Sequence, residues 1–306
     1  TLNGAVTAGQ TTGTIDINAV AGNAATTAGT GTLDAGGAVT VDAGLDVTIA
    51  ATVVSETGTI GITATDGNVT TSGAGTLTAN DAGAGAVTVA SGNDTTLGAA
   101  VSASEGVTVN ADNNLAINAN IVADFDADAS GNASLNADFD SSSNGDLTMG
   151  NFLVTGENVV VTGYNVQVDA ITADVAATIT AQNDVQLDDA YTATAGAATV
   201  TGGRNVTSAA AGAINGNNVV VTGTSGNVTL AGTVTADTTT VAITAGNDIT
   251  TSNTVGAQTS VTMTADEDAA ISGAVTATAG NVDIAAGRDM AQTAGMIQAI
   301  AGGVRV

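Results

Sequence analysis

The densest group of side chains that could do chemistry lies in residues 124–146, which read DFDADASGNASLNADFDSSSNGD. Asp126, Asp128 and Ser130 place oxygen atoms at alternate positions ahead of Gly131, as in the first half of an EF-hand calcium loop. Ala137 stands where that loop has its last ligand, a Glu, and no flanking helices are predicted, so the full motif is absent. Calcium, held in a different arrangement, is the one cofactor that the stretch suggests; the alternative is an acidic loop that only projects into solvent. The candidate ligands are Asp124, Asp126, Asp128, Ser130, Asp138 and Asp140.

Catalytic chemistry has few candidate residues in this chain. There is no His and no Cys, which excludes Ser-His and Cys-His nucleophilic systems and thiolate metal sites. Glycoside hydrolysis needs two facing carboxylates, and adjacent acids occur at Asp188 and Asp189 and at residues 266–268. We interpret both groups as solvated turns, and we predict no catalytic residues and no enzyme activity.

Charge limits the partners as well as the chemistry. The 29 acidic residues against three arginines give a formal charge of −26, which repels nucleic-acid phosphates and anionic membrane surfaces. We therefore expect no nucleic-acid partner and no membrane insertion. Calcium or cationic partners are the ones that such acidity attracts.

These side chains must be positioned by elements that repeat along the chain. A short apolar-x-apolar pattern recurs, and from Val159 onward its steps are 18, 21, 21, 22, 20, 21 and 22 residues. Such alternation predicts half-buried β-strands whose middle residue, often Thr, faces outward. The pattern stands at Val39/Val41, Ile60/Ile62, Val87/Val89, Val107/Val109, Val159/Val161, Ala177/Ile179, Ala198/Val200, Val219/Val221, Val241/Ile243, Val261/Met263, Val282/Ile284 and Val304/Val306.

A second strand series follows each first strand by about eight residues, and an Asn or Asp precedes it. Asn and Asp tolerate positive φ and hydrogen-bond their own backbone, so they suit a corner of the same shape in every repeat. We expect the mixing of Asn with Asp to dilute repulsion between stacked carboxylates. The predicted Asx corner comprises Asp46, Asn68, Asp94, Asn114, Asp146, Asn165, Asp184, Asn205, Asn227, Asp248, Asp268 and Asp289.

The repeat predicts the fold class. One repeat of 20–22 residues cannot bury its aliphatic face alone, so the repeats should stack at a spacing of about 4.8 Å. We predict an all-β, right-handed parallel β-helix (a β-solenoid) of roughly 14 coils that forms a single shaft over residues 1–306. An irregular acidic insertion near residues 124–146 interrupts it. A weaker third strand series stands at Val53, Val101, Val234, Val255 and Val275.

The aromatic residues are confined to one part of the chain. All five lie between residues 125 and 191, and two of them occupy copies of Ala-Asp-Phe-Asp fourteen residues apart. They indicate either a wider section of core or a contact patch for a partner. The candidate patch is Phe125, Phe139, Phe152, Tyr164 and Tyr191.

The repeat also resembles that of a known family. It reads Ala-Gly-Asn-Asp-Ile-Thr at residues 245–250 and Ala-Gly-Arg-Asp-Met at residues 286–290. In this form and in its length it resembles the repeats of filamentous haemagglutinin-like exoproteins, large bacterial surface proteins usually exported by two-partner secretion. The resemblance covers most of the chain from about Val39, and it implies a β-helical shaft on, or shed from, the cell surface. Since the chain begins at Thr1 rather than Met, we interpret it as a fragment of a longer protein.

These observations predict a structural or adhesive extracellular fibre of a bacterial surface protein. The expected partners are further copies of the chain, end to end or side by side, or the surface of a host or neighbouring cell. One alternative is a carbohydrate-binding or carbohydrate-cleaving β-helix, which a groove lined by Asp and an aromatic ring would favour. The other is a calcium-dependent surface-layer or matrix component, which destabilisation by a chelator would favour.

Overall fold

A computed structural model of the protein describes residues 1–9, 12–126, 130–140 and 144–306. The chain is an all-β solenoid of about 14 turns of parallel stacked strands, which confirms the predicted fold class, and the described residues form no helix. It divides into two compact units, Thr1–Gly163 and Tyr164–Val306. The hand of the solenoid and the single continuous shaft stay predictions.

Each coil consists of three short strands, which we call first, second and third strands in the order of the sequence pattern. The alternation in the sequence sets their faces: Val39 and Val41 of one first strand are buried, and Thr40 between them is half-buried on the outer face. Strands at the same position pair in parallel and in register from coil to coil. Val39 stands beside Ile60 and Val41 beside Ile62, so aliphatic residues stack on aliphatic residues.

The strands of the first unit run in the order third, first, second, beginning with β1. The last, β19, supplies both a third and a first strand. They are β1 (Val6–Ala8), β2 (Ile15–Ala19), β3 (Ala24–Ala25), β4 (Leu33–Ala35), β5 (Val39–Ala43), β6 (Val47–Ile49), β7 (Val53–Ser55), β8 (Ile60–Ala64), β9 (Val69–Ser72), β10 (Leu77–Ala79), β11 (Ala86–Ser91), β12 (Thr95–Gly98), β13 (Val101–Ala103), β14 (Gly106–Ala111), β15 (Leu115–Ile117), β16 (Ile121–Val122), β17 (Asn132–Asn136), β18 (Leu147–Met149) and β19 (Leu153–Gly163).

The second unit begins with a second strand and then repeats the same order, with β21 supplying both a third and a first strand. Its strands are β20 (Val166–Val168), β21 (Ala170–Ala181), β22 (Val185–Leu187), β23 (Tyr191–Ala193), β24 (Ala197–Gly202), β25 (Val206–Ser208), β26 (Ile214–Gly216), β27 (Asn218–Gly223), β28 (Val228–Leu230), β29 (Val234–Ala236), β30 (Thr240–Ala245), β31 (Ile249–Thr251), β32 (Val255–Ala257), β33 (Ser260–Ala265), β34 (Ala269–Ile271), β35 (Val275–Ala277), β36 (Val282–Ala286), β37 (Met290–Gln292), β38 (Ile297–Ala299) and β39 (Val304–Arg305).

The core is thin and almost wholly aliphatic. Its buried side chains are mostly Val, Ile, Leu and Ala, and Tyr191 is the one aromatic side chain of the described residues that is fully buried. The weak third series is confirmed as regular strands, since Val53, Val101 and Val234 each begin one. Small aliphatic side chains suffice because each coil needs to fill only the space between its own three strands.

The acidic insertion is built around a regular strand. β17 pairs in register with β14, so that Ala133 stands beside Val107 and Leu135 beside Val109. The acidic residues that the structure describes therefore lie beyond the two ends of β17, some before it and some after it. The solenoid continues through the insertion, which explains why the period resumes at Val159.

Candidate functional site

The Asx corner is a ladder of hydrogen bonds between successive coils. The backbone N–H of Asn68 donates to Oδ1 of Asp46 at 2.9 Å, and Oδ1 of Asn68 accepts the backbone N–H of Asp94 at 3.1 Å. The same bond recurs from Asn23 to Asp146 in the first unit and from Asn165 to Asp289 in the second. All twelve predicted corner residues belong to this ladder. Asn23 also belongs to it and was missed, because the two-residue strand β3 that follows it is all Ala.

The residue before each ladder position often adds a second bond to the coil behind it. Asn113 donates from Nδ2 to Oδ1 of Asp94 at 2.9 Å. Arg204 and Arg288 occupy the same position in the second unit, and they form ion pairs with Asp184 and Asp268 respectively. These hydrogen bonds lower the pKa of both carboxyl groups below the ordinary value. The side-chain oxygens of the ladder therefore already accept hydrogen bonds from backbone N–H groups and from neighbouring side chains. Their role is structural.

The carboxylates considered for catalysis are also engaged by protein donors. Asp188 accepts hydrogen bonds from Gln167 at 2.6 Å and from Gln186 at 2.7 Å. Oδ1 of Asp189 accepts the backbone N–H of Ala190 at 2.7 Å. In the second group, Arg288 pairs with Glu267 as well as with Asp268.

Five of the six candidate calcium ligands lie among the described residues, some before β17 and some after it. Asp124, Asp126 and Ser130 precede β17, whereas Asp138 and Asp140 follow it; Asp128 lies outside the described residues. The ends of this five-residue strand are about 13 Å apart at 3.3 Å per residue, but calcium ligands lie within about 2.6 Å of the ion. Side chains anchored at opposite ends of the strand therefore do not share one ion, and the described residues contain no group of three or more His, Cys, Asp or Glu side chains placed to hold a metal. Calcium binding by one loop alone stays a prediction.

Asp124 differs from the other acids of the insertion. Both of its carboxylate oxygens are buried, and neither has a hydrogen-bond partner in the described part of the chain. Gly131 packs directly on it, since a Cβ at Gly131 would lie 2.5 Å from Cβ of Asp124. A buried carboxylate without a partner is costly, and a cation bound at Asp124 would offset that cost.

The five aromatic residues do not form one contact patch. Tyr191 is 0% exposed, its hydroxyl donates to the carbonyl of Thr199 at 2.9 Å, and burial raises its pKa well above the ordinary value. Its place in the patch was wrong, because its ring fills the core between coils. Phe152 and Tyr164 are half-buried. Phe125 and Phe139 are the exposed members, at 43% and 57%.

Phe139 forms one wall of a groove on the surface of the first unit. The groove has a volume of about 260 Å³, and its floor is made by the last residues of three successive first strands and the residues that directly follow them. Burial, and to a lesser degree the neighbouring Asp140, raise the pKa of the Asp112 carboxyl. The lining residues are Thr63, Ala64, Thr65, Ala90, Ser91, Gly92, Asn110, Asp112 and Phe139.

The backbone fixes the Phe139 ring in this exposed position. The N–H of Phe139 donates to the carbonyl of Ala111 at 3.0 Å, and the N–H of Asp138 donates to the carbonyl of Asn113 at 3.0 Å. Asp138 is buried and has φ 58°, and it is the one described non-glycine residue with positive φ. Such backbone strain is often found at functional positions. The sequence marked Phe139 through its repeated Ala-Asp-Phe-Asp, whereas Asp112 carried no signal, because a coil corner with Asp is ordinary in this chain.

Comparison with known proteins gives no relative for this chain. No protein-family model, no curated protein and no solved structure matches it. Among the described residues, no helix has the length and apolar character needed to cross a membrane.

Proposed function

We propose that the chain is a structural or adhesive shaft of an extracellular bacterial surface fibre, and that it acts by stacking and surface contacts rather than by catalysis. The observation that carries the proposal is the Asx ladder. Each ladder side chain from Asn23 to Asn114 and from Asn165 to Asp268 accepts the backbone N–H of the ladder residue in the next coil. A stack of nearly equivalent layers, each bonded mainly to its neighbours, suits a part that spaces and carries load.

The hydrogen bonds and ion pairs of the acidic groups support a structural role. The carboxylates at residues 188–189 and 267–268 are bound by amides and Arg288, so these acids stabilise turns. The repeat also resembles that of filamentous haemagglutinin-like exoproteins, which supports a place on, or shed from, the bacterial surface.

Self-association is the second part of the proposal. Strands at the same position pair in register from coil to coil, and strands of a second copy could pair in the same way. Such association would bury apolar surface, which favours it. The net charge of −26 opposes it, because like-charged surfaces repel at low salt. We therefore expect assembly to increase with ionic strength, and sedimentation across a salt series measures it.

The function is tested by displaying the chain on a non-adherent bacterium and measuring attachment to cells and surfaces under flow. Bacteria that display an unrelated protein of equal charge are the control. We expect more attachment with the chain, and no new reducing ends when the purified protein is incubated with polysaccharides. Attachment no greater than that of the control bacteria, together with release of reducing sugar, would contradict the shaft function and favour a carbohydrate-cleaving enzyme.

A further inference from the structure

The groove beside Phe139 presents an aromatic ring where burial would be expected. A Phe side chain is strongly apolar, yet this ring is 57% exposed. It is held there by a buried, positive-φ Asp138, and a Cβ at Gly145 would lie 2.3 Å from the Asp138 nitrogen. The loop is therefore packed into the solenoid on one side and presents the ring on the other.

The charged side chains at the groove are all negative. Asp112 lines it, and Asp140 follows Phe139 directly and lies close enough to repel the Asp112 carboxylate. That carboxylate accepts no hydrogen bond from the described residues. Residues 1–163 contain 14 Asp and 3 Glu but no Lys, Arg or His. No side chain of this unit can therefore supply a positive charge to Asp112.

We propose that the Phe139 groove binds an organic cation, specifically the lysine or arginine side chain of a partner protein. The ammonium or guanidinium group would lie against the face of the Phe139 ring and form an ion pair with Asp112, while Asp140 adds attraction. Cations bind aromatic faces through the ring quadrupole, and a charge-assisted hydrogen bond to a carboxylate is stronger than a neutral one. This site rests on the proposed function, because it specifies the chemistry by which the shaft would contact a partner protein.

The other occupants fit the groove less well. A neutral sugar could stack on Phe139 and bond Asp112, but it would leave the repulsion between Asp112 and Asp140 in place. Calcium prefers six to eight oxygen ligands, and the ring offers none. The volume of about 260 Å³ suits one side chain, and this lining does not recur along the solenoid, so a polymer with regularly spaced subsites is not the expected ligand.

The test uses the three phenylalanines of the chain as reporters. Protein with isotope-labelled Phe rings is titrated with a glycine-flanked lysine peptide, and the NMR signals of the rings are followed. The salt concentration is about 0.15 M, which screens long-range attraction. The arginine peptide, the acetyl-lysine peptide and a neutral oligosaccharide are the comparison arms. We expect a saturable shift of the Phe139 signal with the two cationic peptides, and none with the other two ligands. Phe125 and Phe152 should stay unmoved.

Variants complete the test by calorimetry. Phe139→Ala should weaken lysine-peptide binding about two- to fivefold, and Asp112→Asn about tenfold. Phe125→Ala and Asp34→Asn are matched controls, since they remove an exposed ring and an outward carboxylate of the same unit away from the groove. Equal shifts of all three Phe signals, equal binding of acetyl-lysine, tighter binding of the sugar, or full affinity in both groove variants would each overturn the inference. None of these outcomes would affect the attachment assay of the shaft.

Discussion

Arg288 donates from Nε and Nη2 to the two carboxylate oxygens of Asp268, one coil earlier, at 2.9 and 2.6 Å. Asp268 stands in the one part of the ladder where three Asp residues follow one another, between Asp248 and Asp289. Arg204 makes the same kind of pair with Asp184, whose ladder neighbours are Asn165 and Asn205. The two arginines thus occupy equivalent positions in different electrostatic surroundings.

Replacing these arginines should therefore have unequal effects. We expect Arg288→Gln to lower the melting temperature more than Arg204→Gln, because only the former leaves a run of stacked carboxylates without a cation. The difference should shrink as salt is added, since the pairs are exposed and screened. Melting curves at low and high salt measure it. Equal losses for both variants at every salt concentration would count against the explanation.

Acid should remove the contribution of these pairs. Hydrogen bonds from Arg204 and Arg288 lower the pKa of Asp184 and Asp268 in the folded chain, whereas in the unfolded chain a typical Asp has a pKa of about 3.9. A lowered folded-state pKa stabilises the protein above the unfolded value, and this stability is lost as pH falls through the folded value. The melting-temperature difference between wild type and Arg204→Gln/Arg288→Gln should thus shrink as pH falls below about 4, and it should disappear only below the lowered folded-state pKa. A difference that persists at lower pH would contradict the assignment.

Thr251 offers a stabilising substitution. Its hydroxyl is buried and has no hydrogen-bond partner in the described structure. At the same place in other coils, Oγ1 of Thr71 accepts the N–H of Ala99 at 3.2 Å, and Oγ of Ser208 accepts that of Gly232 at 3.2 Å. Thr251→Val should raise the free energy of unfolding by about 1 kcal/mol, because it removes an unsatisfied buried polar atom.

The matched control is Thr71→Val, which makes the same change where the hydroxyl is used. This substitution leaves the N–H of Ala99 without its hydrogen-bond acceptor. It should lower the free energy of unfolding by about 1–3 kcal/mol. Denaturant unfolding of both variants measures the two values. If both substitutions destabilise equally, the Thr251 hydroxyl has a partner after all.

Asp124 links the insertion to calcium. Without metal, Asp124→Asn should raise the melting temperature, since it removes a charge from buried oxygens that lack a partner. If calcium binds this loop, wild type should gain stability from the ion and the variant should not. Melting in chelator and in millimolar calcium, with Asp34→Asn as the control for net charge, separates the cases. An Asp124→Asn variant that melts no higher than wild type in chelator would contradict the prediction.

Sequence reasoning reached the fold because the fold repeats locally. Alternation such as that of Val39 and Val41 predicts which face of each strand is buried, and the Asx corner predicts the turns. Because the repeats are nearly equivalent, they are expected to stack. The groove could not be predicted in the same way. Asp112 and Phe139 meet because the N–H of Phe139 binds the carbonyl of Ala111 one coil away, and no periodic signal describes such a contact. Tyr191 was misplaced for a similar reason, since a single aromatic side chain gives no pattern from which to infer burial.

The central claim is that the chain is a structural shaft of nearly equivalent stacked coils that resists extension, and pulling single molecules by their two ends tests it most directly. A coil of about 21 residues spans about 70 Å when fully extended, so the account predicts resisted extension with rupture steps of this size or its multiples. The same steps should come at lower force in Arg204→Gln/Arg288→Gln. Smooth extension at low force, without steps related to the coil length, would contradict the account.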